Sequence, residues 1–97
     1  MAEAIILEFR GDPDLYHRVN AILGISPADG GGEWPDGMLS HVGASKDGNS
    51  LVVFEVWESQ SHQEAFMNTR LGPALAEAGA PEPARIEWFA VEGQMPG

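Results

Sequence analysis

Apolar and polar residues alternate from Ala4 to Arg10. Ile5, Leu7 and Phe9 fall on one side, Ile6, Glu8 and Arg10 on the other, which is the period of a strand. Past Gly11 the period changes. Leu15, Val19, Ile22 and Leu23 recur at helical spacing after Asp12 as N-cap and Pro13 in the first turn, and Gly24 closes the helix. Residues 25–37 carry no period. Ser26-Pro27-Ala28-Asp29-Gly30-Gly31-Gly32 reads as a flexible loop, with Trp34 following it and Pro35-Asp36-Gly37 after that. Met38 to Ala44 is the second predicted strand and Leu51 to Trp57 the third. Lys46-Asp47-Gly48-Asn49 joins them, and Asp47-Gly48 suits the positive φ of a tight hairpin. Taking Asp47 and Gly48 as the turn centre sets His41 opposite Phe54 and Ser40 opposite Glu55. Ser40, Val53, Glu55 and Trp57 then share one face, and His41, Val52, Phe54 and Val56 the other, so His41 and Glu55 are expected in different environments. Ser61-His62-Gln63-Glu64 is a capping box for a second helix, which Gly72-Pro73 breaks or kinks and Gly79 ends. After Pro81 and Pro83, Ala84 to Glu92 alternates as the last strand.

The order βαββαβ, with no internal repeat or linker, predicts a single α+β domain over residues 1–97 on the ferredoxin-like plan. Such a domain has a four-stranded antiparallel sheet with both helices on one face. The second face should then meet water, yet Ile6, Val52, Phe54, Val56 and Phe89 make it apolar too. Strands apolar on both sides are covered on both sides. A second copy of the sheet, in a two-fold homodimer, is the expected cover.

The chain's 15 acidic against 5 basic residues give a net charge of −10, the wrong sign for nucleic acid or an anionic membrane surface. An RNA-recognition domain of the same element order would need exposed aromatics among basic residues on its central strands. The absence of cysteine excludes disulfides, iron–sulfur clusters, thiol catalysis and Cys-paired metal-carrier domains. His17, His41 and His62 lie on three different elements, so no metal site is expected. No phosphate-cradling glycine loop or nucleophile elbow is present. The short N-terminal apolar run lacks the flanks of a signal peptide, and a cytoplasmic location is expected.

At Phe54-Glu55-Val56-Trp57-Glu58-Ser59, followed by a helix containing Phe66, the sequence resembles the dimeric α/β-barrel superfamily, and within it the antibiotic-biosynthesis-monooxygenase-like proteins. Leu71-Gly72-Pro73-Ala74-Leu75-Ala76 and His41-Val42-Gly43 are similar to stretches of small relatives. The resemblance implies subunits paired sheet to sheet and a pocket between sheet and helices in each. It also implies chemistry on aromatic, quinone-like or polyketide-like molecules, often without metal or flavin. A tryptophan at the end of strand three lines the pocket of the oxygenase members, and Trp57 matches it. Other polar pocket residues of those enzymes have no clear match.

His41 is the leading candidate for general acid–base work, since imidazole titrates near neutrality; the alternative is a hydrogen-bonded structural histidine at the dimer seam. Glu55, expected to be partly buried, is either a second base or a carboxylate paired with Arg10 or Arg70 or bonded to backbone. Trp57 and Phe66 either sandwich an aromatic ligand or belong to the core. Tyr16 either points its hydroxyl into the pocket or covers the helix edge. Arg70 either clamps a ligand carboxylate or enolate or pairs with a surface acid. Trp34 is either a lid over the pocket or a loop anchor. The reading is a small cofactor-free homodimeric enzyme, monooxygenase-like or cyclase/isomerase-like, for an aromatic or polyketide-type molecule. The alternatives are a non-catalytic ligand-binding or stress-related dimer, and a purely structural subunit.

Overall fold

The structure is a computed structural model and describes residues 2–95. Strand β1 (Glu3–Arg10) buries Ile5, Leu7 and Phe9, as its alternation requires, and leaves Ile6 and Glu8 half-buried on the opposite side. Helix α1 (Pro13–Leu23) starts where the Asp12 carboxylate accepts the Leu15 N–H and stops at Gly24, whose φ of 75° is the left-handed cap conformation. Its buried face holds Leu15, Val19, Asn20 and Leu23. Ile22, expected on that stripe, is 39% exposed. The helix is rolled toward Tyr16 and Asn20 because the Tyr16 ring sits over Gly43, where any Cβ would collide with the ring carbons and the hydroxyl.

Residues 25–37 are more ordered than their composition suggests. They contain a miniature antiparallel pair, β2 (Ile25–Ser26) with β3 (Gly31–Gly32), held down by the buried Ile25.

Strands β4 (Met38–Lys46) and β5 (Ser50–Trp57) form the predicted hairpin, with φ of 56° at Asp47 and 73° at Gly48. The expected register is wrong by one residue. Asn49 stays out of the ladder, and its carbonyl accepts the Gly11 N–H at 3.0 Å, so pairing resumes with Lys46 opposite Ser50. His41 therefore lies opposite Glu55 and Val42 opposite Phe54. A one-residue slip exchanges the faces of a strand. His41 moves to the helix-covered side with Val53 and Glu55, and Ser40 to the outer side.

Ser59, rather than Ser61, caps helix α2 (Gln60–Phe66); its hydroxyl accepts the His62 N–H. The earlier start is possible because the Glu3 carboxylate accepts the otherwise orphaned Gln60 N–H. At Gly72-Pro73 the helix widens instead of breaking. Met67–Leu71 form one π-helical stretch and helix α3 (Gly72–Glu77) follows without a gap. Pro73 lacks an N–H and its ring would strike a carbonyl one turn back. The wide turn relieves this, and the Gly72 N–H reaches the Met67 carbonyl, an oxygen only 2.8 Å from where a Cβ on Gly72 would lie.

Strand β6 (Arg85–Ala90) pairs with β1, Trp88 opposite Ile5. The main sheet is antiparallel in the order β4-β5-β1-β6, with α1 and the α2–α3 unit over one face. This is the ferredoxin-like α+β plan. The outer face leaves Val42, Phe54 and Phe89 at 54%, 39% and 39% exposure. No helix among the described residues is long and apolar enough to cross a membrane.

Candidate active site

Between the helices and the sheet lies a cavity of about 50 Å³. Its walls are apolar apart from Tyr16, Asn20, His41 and Glu55. Three of these form one chain of hydrogen bonds. The Tyr16 hydroxyl is 2.7 Å from His41 Nε2, and His41 Nδ1 is 2.9 Å from Glu55 Oε2. Behind them, Trp57 Nε1 donates to Glu55 Oε1 at 3.0 Å. The side chains of His41 and Glu55 are 9% and 3% exposed.

The donors follow from chemistry. An ionised carboxylate only accepts, so Nδ1 of His41 carries the hydrogen toward Glu55. In the neutral ring Nε2 is then an acceptor and takes the Tyr16 O–H. The expectation that His41 and Glu55 lie apart fails because of the hairpin register. The expectation that Arg10 or Arg70 neutralises Glu55 fails as well; among the described residues its partners are His41 and Trp57. Arg70 instead donates to the backbone carbonyls of Leu23, at the end of α1, and Glu33, while its guanidinium lies 5.4 Å over the Phe66 ring. It straps the 25–33 hairpin to the second helix.

Burial raises the Tyr16 pKa above its ordinary 10.0. The Glu55 charge adds to the rise, and Asn20 opposes it. Tyr16 is the only tyrosine in the chain, so its titration reads cleanly by near-ultraviolet phenolate absorbance. Phenolate is expected only at pH above 10. The folded value lies above the unfolded one, so this contribution to stability is complete below pH 10 and is lost as pH rises through the folded value. A titration centred at or below 10 would contradict a buried phenol.

No family model matches the chain, and no curated protein matches it in sequence. Solved structures do. A candidate antibiotic biosynthesis monooxygenase from Chloroflexus aurantiacus is 21% identical, with all of both chains covered and a TM-score of 0.68. SnoaB, a cofactor-independent oxygenase from Streptomyces nogalater, is 18% identical over 99% of this chain and 98% of its own, with a TM-score of 0.62. The ActVA-Orf6 monooxygenase of Streptomyces coelicolor, solved with the ligand nanaomycin D, is 19% identical over 97% of this chain and 89% of its own, with a TM-score of 0.57. This chain has the antibiotic biosynthesis monooxygenase-like fold.

Within that fold, Tyr16, His41, Glu55 and Phe66 reach the cavity wall. Trp57 does not. It is fully buried behind Glu55, with its ring 5.7 Å from that of Phe66. Trp34 packs against His41, ring centroids 5.3 Å apart, and its Nε1 donates to the Gly30 carbonyl. An open groove beside it is lined by Trp34, His62, Phe66 and Arg70 and shares Phe66 with the cavity. Asn20 is the cavity residue that the sequence reading missed. A polar side chain four residues after Tyr16, between Val19 and Leu23, was the available signal. Among the described residues no three of His, Asp or Glu gather closely enough to hold a metal ion.

Proposed function

We propose that this chain is a proton-transfer enzyme for enolisable aromatic or polyketide-type molecules, monooxygenase-like or cyclase/isomerase-like. The carrying observation is the Tyr16–His41–Glu55 chain, which ends on an apolar cavity. A substrate C–H or O–H gives its proton to the Tyr16 oxygen as the Tyr16 proton passes to His41 Nε2. Glu55 then holds the imidazolium as a buried ion pair. No free tyrosinate forms, which accords with a phenol that resists ionisation.

The substrate anion has two fates. Reprotonation at another atom isomerises or cyclises it. Reaction with dioxygen puts one oxygen on carbon and, with the two hydrogens lost there, releases the other as water. That route needs no bound cofactor, and the cofactor-independent oxygenase among the structural neighbours supports it by analogy. Nanaomycin D is a first binding probe, being the ligand of one neighbour. The test of the function is deuterium exchange and oxygen uptake with a panel of enolisable aromatic ketones, His41→Ala serving as control. The second reading is a binding protein without turnover, which the small cavity supports: ligands of drug size fill roughly 300 Å³ or more, so the cavity must widen to admit one. On that reading His41→Ala and Glu55→Gln bind ligand as the native chain does.

A cytoplasmic homodimer through the outer sheet face completes the proposal. Val42, Phe54 and Phe89 supply its apolar contact. The native chain should sediment at twice its 10.4 kDa mass, and Phe54→Glu should sediment as a monomer. A monomeric native chain would remove the dimer from the proposal.

A further inference from the structure

The open groove beside the cavity has a volume of about 370 Å³, and Trp34, Asp36, His62, Phe66 and Arg70 contribute to its wall. That is the size of a small-molecule site, which the cavity is not. The Trp34 indole N–H is spent on the Gly30 carbonyl, so the ring offers the groove an apolar surface. Arg70 is the permanent cation of the wall, and it is only partly committed. Both of its hydrogen bonds leave from Nη2, at 2.9 Å to the Leu23 carbonyl and 2.6 Å to the Glu33 carbonyl. Nε and Nη1 make none among the described residues. A guanidinium grips a carboxylate with two parallel N–H donors, and each such pair includes Nη2. A carboxylate on Arg70 therefore displaces one carbonyl. The Glu33 bond is exposed and the Leu23 bond partly buried, so Glu33 yields and turns to water.

We propose that this groove binds an aromatic carboxylic acid, its carboxylate on Arg70 in place of the Glu33 carbonyl and its ring against Trp34. Asp36 in the same wall and the chain's net charge of −10 oppose an anion. The aromatic contact must therefore supply part of the affinity, and simple anions are rejected. The exchange also reaches the hydrogen-bonded chain in the cavity. Glu33 adjoins Trp34, whose ring centroid lies 5.3 Å from that of His41. Releasing the Glu33 carbonyl frees the indole to leave the imidazole and follow the ligand ring. The groove site lies outside the relay and does not depend on proton transfer there.

The test uses 2-naphthoate, 2-naphthylmethanol and acetate in calorimetric titrations of the native protein, Arg70→Lys and Tyr16→Phe. The native protein is expected to bind naphthoate about ten-fold more tightly than the alcohol, the worth of a charge-assisted hydrogen bond, and acetate not measurably. Arg70→Lys keeps the charge and loses the fork, so it should lose most of the preference. Tyr16→Phe alters the cavity wall alone and should keep it. In NMR spectra of the native protein, the Overhauser contact between the Trp34 and His41 rings should vanish as naphthoate saturates the site. If Arg70→Lys does not fold, this contact and the native preference decide by themselves.

Equal binding of acid and alcohol overturns the proposal. So does an unchanged preference in Arg70→Lys, a preference lost in Tyr16→Phe, acetate bound as tightly as naphthoate, or a Trp34–His41 contact that survives saturation. None of these results touches the proton-transfer reading, which His41→Ala tests by deuterium exchange.

Discussion

Turnover of an enolisable aromatic ketone should fall roughly 10²–10⁴-fold when His41 is replaced by alanine, the usual worth of a positioned acid–base group. His41 is the one residue that touches both ends of the chain, with Tyr16 on Nε2 and Glu55 on Nδ1. Its loss leaves the substrate proton with no acceptor beyond the phenol. Glu55→Gln should cost nearly as much. Glu55 faces two donors, from His41 and Trp57, and an amide can offer an acceptor to only one of them. The negative charge that stabilises the imidazolium goes too. Tyr16→Phe should do less, because His41 Nε2 then faces the cavity and can take the proton directly. Single-turnover kinetics on variants with native circular dichroism would rank the three. Wild-type turnover in His41→Ala would sink the mechanism.

The second large effect falls on stability. Trp57→Ala removes a fully buried indole packed on Phe66. Large-to-small changes of this kind cost about 3–5 kcal/mol. Domains of this size have about 5–15 kcal/mol in all, so the variant should be largely unfolded or close to it. Trp57→Phe tests the polar part by itself. It keeps an aromatic ring but leaves Glu55 Oε1 without its donor, and the expected loss is about 1–3 kcal/mol, read as a lower urea midpoint. An unchanged midpoint would mean that the indole N–H contributes nothing to holding Glu55.

The sequence made some of this plain and hid the rest for definite reasons. Caps and turns are local, so Asp12, Gly24 and Asp47-Gly48 were readable where they stand. The face of α1 was only half readable, because its roll depends on the Tyr16 ring fitting over Gly43 on another element. Arg70 looked like a partner for an acid. It serves backbone carbonyls instead, one of them an orphan at a helix end, which residue types alone do not reveal. His41, Glu55 and Tyr16 were each legible as candidates. Their union was not, since it depends on the carbonyl of Asn49 turning to Gly11.

That turn gives the chemistry an odd-or-even dependence. A change at position 49 that let this residue join the ladder opposite Lys46 would alter no residue of the hydrogen-bonded chain, yet the two-residue loop so formed would send His41 to the opposite face from Glu55. Among chains that share this fold, possession of a histidine and a glutamate on neighbouring strands is therefore a poor guide to shared chemistry. The parity of the loop between those strands is the property to count.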